Sequence, residues 1–459
     1  MYNAEEQTAT RTLRLAFSLG QEAAAAAALE PPVASAVAAK SCTSTPLLDV
    51  GIITAPTHTD RRESLRAAYA RLLQGSRCEV SLFFILGNLS DIPKQQRVQI
   101  SSEHSLSGDI LWLPAHDGKT AGVSHGGRAV AEKALSWFIH AAKHTQAPFV
   151  MKVDDDTTAH LPRLLLHVER LRTQVPNAPF VYYGKLTYRI WDWSGRHRQG
   201  ANPSCGERHA TDRGAPVHKP QSLTRLLKAK RPGGKCEYAS GPFLYPDGSL
   251  EIVGRGLLEA VFTSRRVLDF ARTNLARIEP PIWSHEDVGI GALVHREVSA
   301  RGLPITFVAC RMWESMRYWI NWADTSTLVD QHVLWVHFTR SRDKYQYVAD
   351  AYAATAREPP ETPETALFGC EPCEEGWGLS PSLYGSANVS CCAPLARPSF
   401  VVNGAIDHNA AKGWPWNVSI RRGDGIDFPP ACGLGASRGL FASADSFGGR
   451  GGGSWNWVS

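Results

Sequence analysis

The chain is 459 residues long, 43% hydrophobic and 20% charged, with 49 Lys plus Arg against 44 Asp plus Glu and a formal net charge of +5. That much core-forming material excludes a chain disordered throughout. So small a positive charge, with no basic stripe and no long run of one sign, excludes an obvious nucleic-acid binder.

Residues 1–45 read as a tail rich in Ala, Ser and Thr, the expected remnant of a stem or anchor. Its longest apolar stretch, 13–39, is interrupted by Arg14, Gln21, Glu22, Glu30 and Pro31-Pro32, whereas a membrane span needs ~20 consecutive apolar residues. No clear anchor or signal peptide is read here; the expectation is a soluble chain or one whose N-terminus lies further upstream. Order is expected from Leu47. The run LLDVGIITA, broken only by Asp49, suits a buried parallel strand. RRESLRAAYARLL then places Leu65, Ala68, Tyr69 and Leu72 at helical spacing, and VSLFFILG supplies a second buried strand. Strand, helix and strand in so short a stretch make a βαβ unit.

The pattern repeats. Val130, Ala134, Trp137, Phe138 and Ala141 mark a helical face, PFVMKV a short strand, and Leu161, Leu164, Leu165, Val168 and Leu171 the next helix. Alternation of this kind predicts an α/β domain with a mostly parallel central sheet flanked by helices. Residues 190–235 are polar and aperiodic, an expected insertion. Helix and strand signals return at 256–272, 305–313 and 343–357. The expected catalytic unit is 46–357, and 358–459, rich in Cys, Gly, Pro and Trp, is expected to form a separate module or a poorly ordered extension.

Chemistry concentrates at three places. Asp154-Asp155-Asp156 follows a strand directly. Adjacent carboxylates repel, and a hard divalent cation such as Mg²⁺ or Mn²⁺ between them relieves the repulsion; an acidic cap on the following helix is the alternative. Glu286-Asp287 precedes an apolar run and, taken alone, suits the first turn of a helix. His337 lies in VLWVHF, where a lone histidine is ordinarily a core residue. Asp117-Gly118-Lys119-Thr120 lacks the first glycine of a phosphate loop, since position 113 is Leu. Ten cysteines and three sequons, at Asn88, Asn388 and Asn417, suit a secretory compartment. Cys370 and Cys373 with Cys391 and Cys392 fall short of a zinc ribbon, because the second pair lacks its spacer; disulfides are the expectation there.

One ordered pattern explains the separate signals. RRESLRAAY, FFILG, Asp109-Ile110-Leu111, Lys152-Val153-Asp154-Asp155-Asp156, Tyr238-Ala239-Ser240-Gly241-Pro242 and Glu286-Asp287-Val288-Gly289-Ile290-Gly291 occur in that order. In order and rough spacing they resemble the motifs of the β-1,3-galactosyltransferase and N-acetylglucosaminyltransferase family, glycosyltransferase family 31, across about residues 48–340. The departures are Ala68 and Tyr69, where the family carries Thr and Trp, and HDGKTAGVSHGG, which retains only Asp117 of the family's Asp-Ser-Tyr-x-Asn-Leu-Thr run.

The resemblance implies a GT-A type nucleotide-sugar-binding fold. It implies an inverting hexosyltransferase that moves galactose or N-acetylglucosamine from a UDP-sugar to a hydroxyl of a glycan or glycoprotein acceptor in β-1,3 linkage. Mn²⁺, or Mg²⁺, would sit on Asp154, Asp156 and His337, with His332 second to His337. Asp287 would be the general base, ahead of Glu286. Arg62, Arg66, Asp109, Lys152, Asp154 and Asp155 are the donor-side candidates. For Arg62 and Arg66 a place on the surface of the first helix is the alternative, and for Lys152 a solvated strand end. Trp283, Trp313, Trp319 and Trp322 are candidates for stacking on sugar faces. By the same resemblance the chain belongs at the Golgi membrane with its catalytic domain in the lumen. A catalytically inactive carbohydrate-binding homologue is the alternative kept open by the altered donor region; a glycoside hydrolase with two carboxylates is the other.

Overall fold

The computed structural model describes residues 45–73, 78–117, 127–193, 239–276, 286–309, 316–318, 333–355, 368–372, 384–394, 401–402 and 405–406. The expected first unit is present as β1 (Leu48–Ile53), α1 (Thr59–Leu72) and β2 (Val80–Leu86). After it come α2 (Lys94–Ser107), β3 (Ile110–Trp112), α3 (Gly127–His144) and β4 (Phe149–Asp154). The short β5 (Thr157–Ala159) leads into α4 (Leu161–Gln174), and a long hairpin follows, β6 (Val181–Asp192) with β7 (Ala239–Gly254). The remaining helices are α5 (Arg255–Phe262), α6 (Arg265–Ala276), α7 (Glu286–Arg301) and α8 (Arg342–Thr355). The later strands are β8 (Ile305–Ala309), β9 (Met316–Tyr318), β10 (Trp335–His337), β11 (Phe368–Pro372), β12 (Val389–Pro394), β13 (Val401–Val402) and β14 (Ala405–Ile406).

Nine strands form one sheet in the order β11-β12-β8-β6-β7-β4-β1-β2-β3. The pairs β1·β2, β1·β4, β2·β3, β6·β8 and β12·β8 are parallel, while β7 runs antiparallel to both β4 and β6, and β11 to β12. The α/β architecture with a mostly parallel central sheet flanked by helices, as expected of a GT-A type fold, is therefore present. The helices fall into two sets that pack among themselves, α3 with α5, α6 and α7, and α1 with α4 and α8.

The strands are buried because both faces are covered, which is why β1 and β4 read as nearly unbroken apolar runs. On β1 the glycine at 51 is required by a close approach. A Cβ there would lie 2.4 Å from the Trp137 ring of α3, and the Trp137 indole N–H donates to the Met151 carbonyl at 3.0 Å.

Three differences from the sequence reading matter. Helix α2 is absent from it because only Ile100 of its fourteen residues is buried, which leaves no apolar stripe to detect. The antiparallel β6–β7 hairpin has no counterpart in that reading, and β6 runs to Asp192, just into the expected 190–235 insertion; residues 194–238 lie outside the described residues. The extension expected to be separate from 358 onward is not separate at its start. Strands β11 and β12 extend the central sheet from β8, and Tyr384, Cys391 and Cys392 are buried in the same core. Cys78, Cys391 and Cys392 are disulfide-bonded, as an oxidising compartment allows. No helix of the described residues is long and apolar enough to cross a membrane.

Candidate active site

The aspartate triplet sits where β4 leaves the sheet beside β1, with Ile53 opposite Asp154 and the Asp155 amide donating to the Ile53 carbonyl at 3.1 Å. A second, three-stranded sheet in the order β5-β10-β9 grows from that point. Its antiparallel register places His337 opposite Thr157, one residue past the triplet. The Thr339 amide then donates to the Asp156 carbonyl at 2.8 Å, and the Tyr345 hydroxyl to the Asp155 carbonyl at 2.6 Å. A histidine 181 positions away is thereby fixed beside the acidic turn.

The three aspartates separate into two roles. Asp154 and Asp156, with His337, offer ligand atoms that all lie within 4.8 Å of one another, the group among the described residues suited to a metal ion. Asp155 faces elsewhere. Its carboxylate takes hydrogen bonds from Thr54 at 2.7 Å and Arg61 at 2.7 Å and contacts His58 Nδ1 at 2.6 Å, which locks β4 to the start of α1. Burial acts to raise Asp155, but His58, Arg61 and Thr54 together hold it below the ordinary carboxylate range. The expectation that Asp155 reaches the donor is corrected: its oxygens are already spent inside the domain.

The donor set of Asp154, Asp156 and His337 fits a hard divalent cation. It supplies carboxylate oxygens and one imidazole, and its sides are partly open, with Asp154 27% exposed. His337 Nε2 lies 3.2 Å from Asp156 Oδ1, and Arg340 Nε donates to Asp156 Oδ2 at 2.8 Å. Burial opposes ionisation of Asp156, yet these two partners hold its pKa well below the usual value. Asp154 is raised instead, by burial and by Asp156, with Lys152 and His337 only partly offsetting this. Two carboxylates pushed in opposite directions at one opening are a signature of a functional site.

Lys152 is fully buried, not at a solvated strand end, and does not reach outward. It bridges Asp154 Oδ1 at 2.8 Å, contacts Glu286, and donates to the Gly248 carbonyl. Burial pushes the ammonium down, but Asp154, Glu286 and Glu251 outweigh this and hold it protonated. Lys152 therefore ties the metal-type cluster to the first turn of α7. Glu251 was not among the sequence candidates. It pairs in register with Lys152 across β4 and β7, is fully buried, and accepts from the Tyr182 hydroxyl at 3.0 Å. Burial above all raises its pKa to about 8. In LEIV it reads as a strand interruption, and only the strand pairing reveals its partner.

Glu286 and Asp287 open α7, and a bulge in β7 lies against them. The register of β6 with β7 slips between Gly184 and Leu186, which lets the Asp247-Gly248-Ser249 stretch stand out toward α7. A Cβ at Gly248 would lie 2.7 Å from Glu286 Oε2, so only glycine leaves room for both acids. Glu286 is bound to Lys152, and burial above all raises it well above the ordinary value. Among the described residues Asp287 forms no ion pair. It accepts from the Val288 amide at 2.7 Å and more weakly from the Gly248 amide at 3.3 Å. Burial, with neighbouring Asp247, raises its pKa to about 6.

The arginine expectations are corrected as well. Arg62 is wholly buried; its guanidinium is saturated by Glu103 at 2.8 and 2.7 Å, the Ala55 carbonyl at 2.7 Å and Thr59 at 2.9 Å. Arg66 forms a bidentate pair with Asp109 at 2.7 and 2.8 Å and a further pair with Glu103 at 2.7 Å. Arg62, Arg66 and Asp109 thus join α1 to α2 and the residue before β3. Asp117 accepts from the Gly87 amide at 2.7 Å and from Lys133 at 2.8 Å, a buried structural pair. His332, Trp283, Trp313, Trp319, Trp322 and Tyr238 lie outside the described residues.

The galactosyltransferase family model matches residues 60–190, from α1 through the aspartate triplet into β6. Beta-1,3-galactosyltransferase 4 of Homo sapiens is 29% identical over 124 residues, 26% of this chain and 31% of that protein. The protein of the same name from Canis lupus familiaris is 28% identical over 131 residues, 28% of this chain and 32% of its own length. The chain thus spans about a third of the length of the relatives it matches. Among solved structures, the galactosyltransferase LgtC in complex with donor and acceptor sugar analogs overlaps 68% of this chain and 98% of its own, at 9% identity and a TM-score of 0.32. The bifunctional glycosyltransferase WbbM overlaps 72% of this chain and 52% of its own, at 11% identity and a TM-score of 0.29. The family match runs through the triplet, and the remaining motifs lie in order around it.

Proposed function

We propose that the protein is an inverting, metal-dependent hexosyltransferase that moves galactose, or N-acetylglucosamine, from a UDP-sugar to a hydroxyl of a glycan or glycoprotein in β-1,3 linkage. The observation that carries this reading is the convergence of Asp154, Asp156 and His337 at the carboxyl end of β4, joined through buried Lys152 to the α7 turn that bears Asp287. Ligands of α/β sheets bind beyond the carboxyl ends of the strands, where this cluster lies.

Asp154, Asp156 and His337 would hold Mn²⁺, or Mg²⁺, whose charge stabilises the departing diphosphate as a Lewis acid. Asp287 takes the proton of the acceptor hydroxyl as its oxygen attacks the anomeric carbon. The bond from that carbon to the UDP oxygen breaks, and its electron pair leaves with UDP. Asp287 suits this task because among the described residues no ion pair holds its carboxylate and its pKa, about 6, lies near the working range. Glu286, neutralised against Lys152, keeps α7 in place. Disulfide-bonded Cys78, Cys391 and Cys392 support a lumenal setting, with the Golgi membrane the expected station.

UDP-galactose and UDP-N-acetylglucosamine are to be offered with simple sugar acceptors in Mn²⁺, with and without chelator. Transfer that chelation abolishes is expected. Glycan cleavage that survives chelation would favour the hydrolase, and sugar binding with no turnover of any UDP-sugar would favour an inactive homologue.

A further inference from the structure

The cations expected to meet a nucleotide are all occupied within the protein. Arg62 is buried and saturated, Arg66 is bound through Nε and Nη2 to Asp109 and Glu103, Arg61 through Nη1 to Asp155 away from the metal-type cluster, and Lys152 lies beneath the site with no exposed surface. Two carboxylates and a divalent ion balance each other, so a diphosphate held on that ion still lacks a countercharge from the protein. Among the described residues, one solvent-facing fixed cation touches the metal-type cluster, and it is Arg340.

Its position is built, not incidental. Phe338 adopts φ 68°, a left-handed conformation rare for a bulky residue, between His337 and Thr339. The Thr339 hydroxyl and amide both donate to the Asp156 carbonyl, at 3.0 and 2.8 Å. The turn so fixed brings Arg340 back toward Asp156, with its guanidinium 4.9 Å from the centre of the Phe338 ring. Nε is used on Asp156, while among the described residues the two Nη groups make no hydrogen bond, and the side chain is 57% exposed. A guanidinium anchored by Nε presents a planar pair of donors, the geometry that matches phosphate oxygens.

We propose that Arg340 grips the diphosphate of the nucleotide-sugar donor beside the metal ion. This rests on the transferase reading above, and it assigns to Arg340 the donor contact that Arg62, Arg66 and Lys152 are too occupied to make.

The test is calorimetric titration of the full chain with Mn²⁺ alone, and with UDP in saturating Mn²⁺, for wild type, Arg340→Ala and Arg340→Lys. An exposed pair adds little to folding, so both variants should melt with the wild type. Arg340→Ala is expected to bind UDP about ten- to a hundredfold more weakly, from the loss of charge-assisted hydrogen bonds, with Mn²⁺ affinity unchanged or tighter. Arg340→Lys should recover only part of the loss. UDP affinity equal to wild type in Arg340→Ala overturns the proposal. So does an equal loss of Mn²⁺ affinity, which would make Arg340 merely a prop for Asp156. If wild type itself fails to bind UDP with Mn²⁺, the transferase reading falls, and this inference with it.

Discussion

Adding one methyl group at Gly248 should separate donor binding from transfer. The new Cβ would stand 2.7 Å from Glu286 Oε2 and 3.3 Å from Asp287 Cβ. Glu286 cannot swing clear cheaply, because its carboxylate is bound to Lys152, which is itself fully buried between Asp154 and the Gly248 carbonyl. The methyl must therefore displace either the bulge or the first turn of α7. Overpacking of this kind costs about 1–3 kcal/mol, and the reduced freedom of the unfolded chain on replacing glycine returns roughly 0.4–1 kcal/mol. The net destabilisation expected is roughly 0–2.5 kcal/mol, so the variant folds. The proposed base, Asp287, would however be out of place, and a shift of about 1 Å in a reacting group costs on the order of a hundredfold in rate. Turnover of UDP-sugar by Gly248→Ala should fall by that order, while Mn²⁺-dependent UDP binding, measured by calorimetry, stays within about twofold of wild type. A variant that turns over at the wild-type rate would refute the placement of the base on this turn.

Asp156→Ala removes a shared carboxylate from the cluster with Asp154 and His337, and should abolish Mn²⁺-dependent UDP binding in the same titration. Asp287→Ala should bind UDP normally yet lose transfer. In wild type the rate should rise with pH through about 6 and level off above it, since Asp287 must be deprotonated to accept the proton. A profile already flat well below that pH would argue for another base. Glu103→Ala strands the fully buried guanidinium of Arg62 and should cost about 3–5 kcal/mol in denaturant unfolding. Arg62 and Arg66 outweigh burial and lower the folded-state pKa of Glu103 below its unfolded value. The stability they provide is complete above the ordinary carboxylate range and is lost as pH falls through the lowered folded value.

Much of this architecture is legible in the amino-acid order. Strands β1, β2 and β4 announce themselves because burial on both faces demands unbroken apolar runs, and α3 and α4 show the helical spacing of their core residues. The motif order also marked the aspartate triplet and the Glu286-Asp287 turn. Helix α2 was hidden because it buries a single residue, and β11 and β12 because their setting is Gly- and Cys-rich, without alternation.

The division of labour within the triplet was beyond the sequence's reach. Three identical side chains in a row carry no mark of which way each faces; the pairing of β5 with β10 brings His337 and Arg340 to Asp156, while α1 claims Asp155. The same holds for the arginines of α1, whose carboxylate partners lie about forty residues away, and for Glu251, which meets Lys152 only because β7 folds back against β4. Composition and periodicity specify what must be buried and where chains turn, because those follow from local geometry and the expulsion of apolar surface from water. Which charge neutralises which is settled only when distant strands close on one another, because electrostatic partnership depends on distance in space and not along the chain.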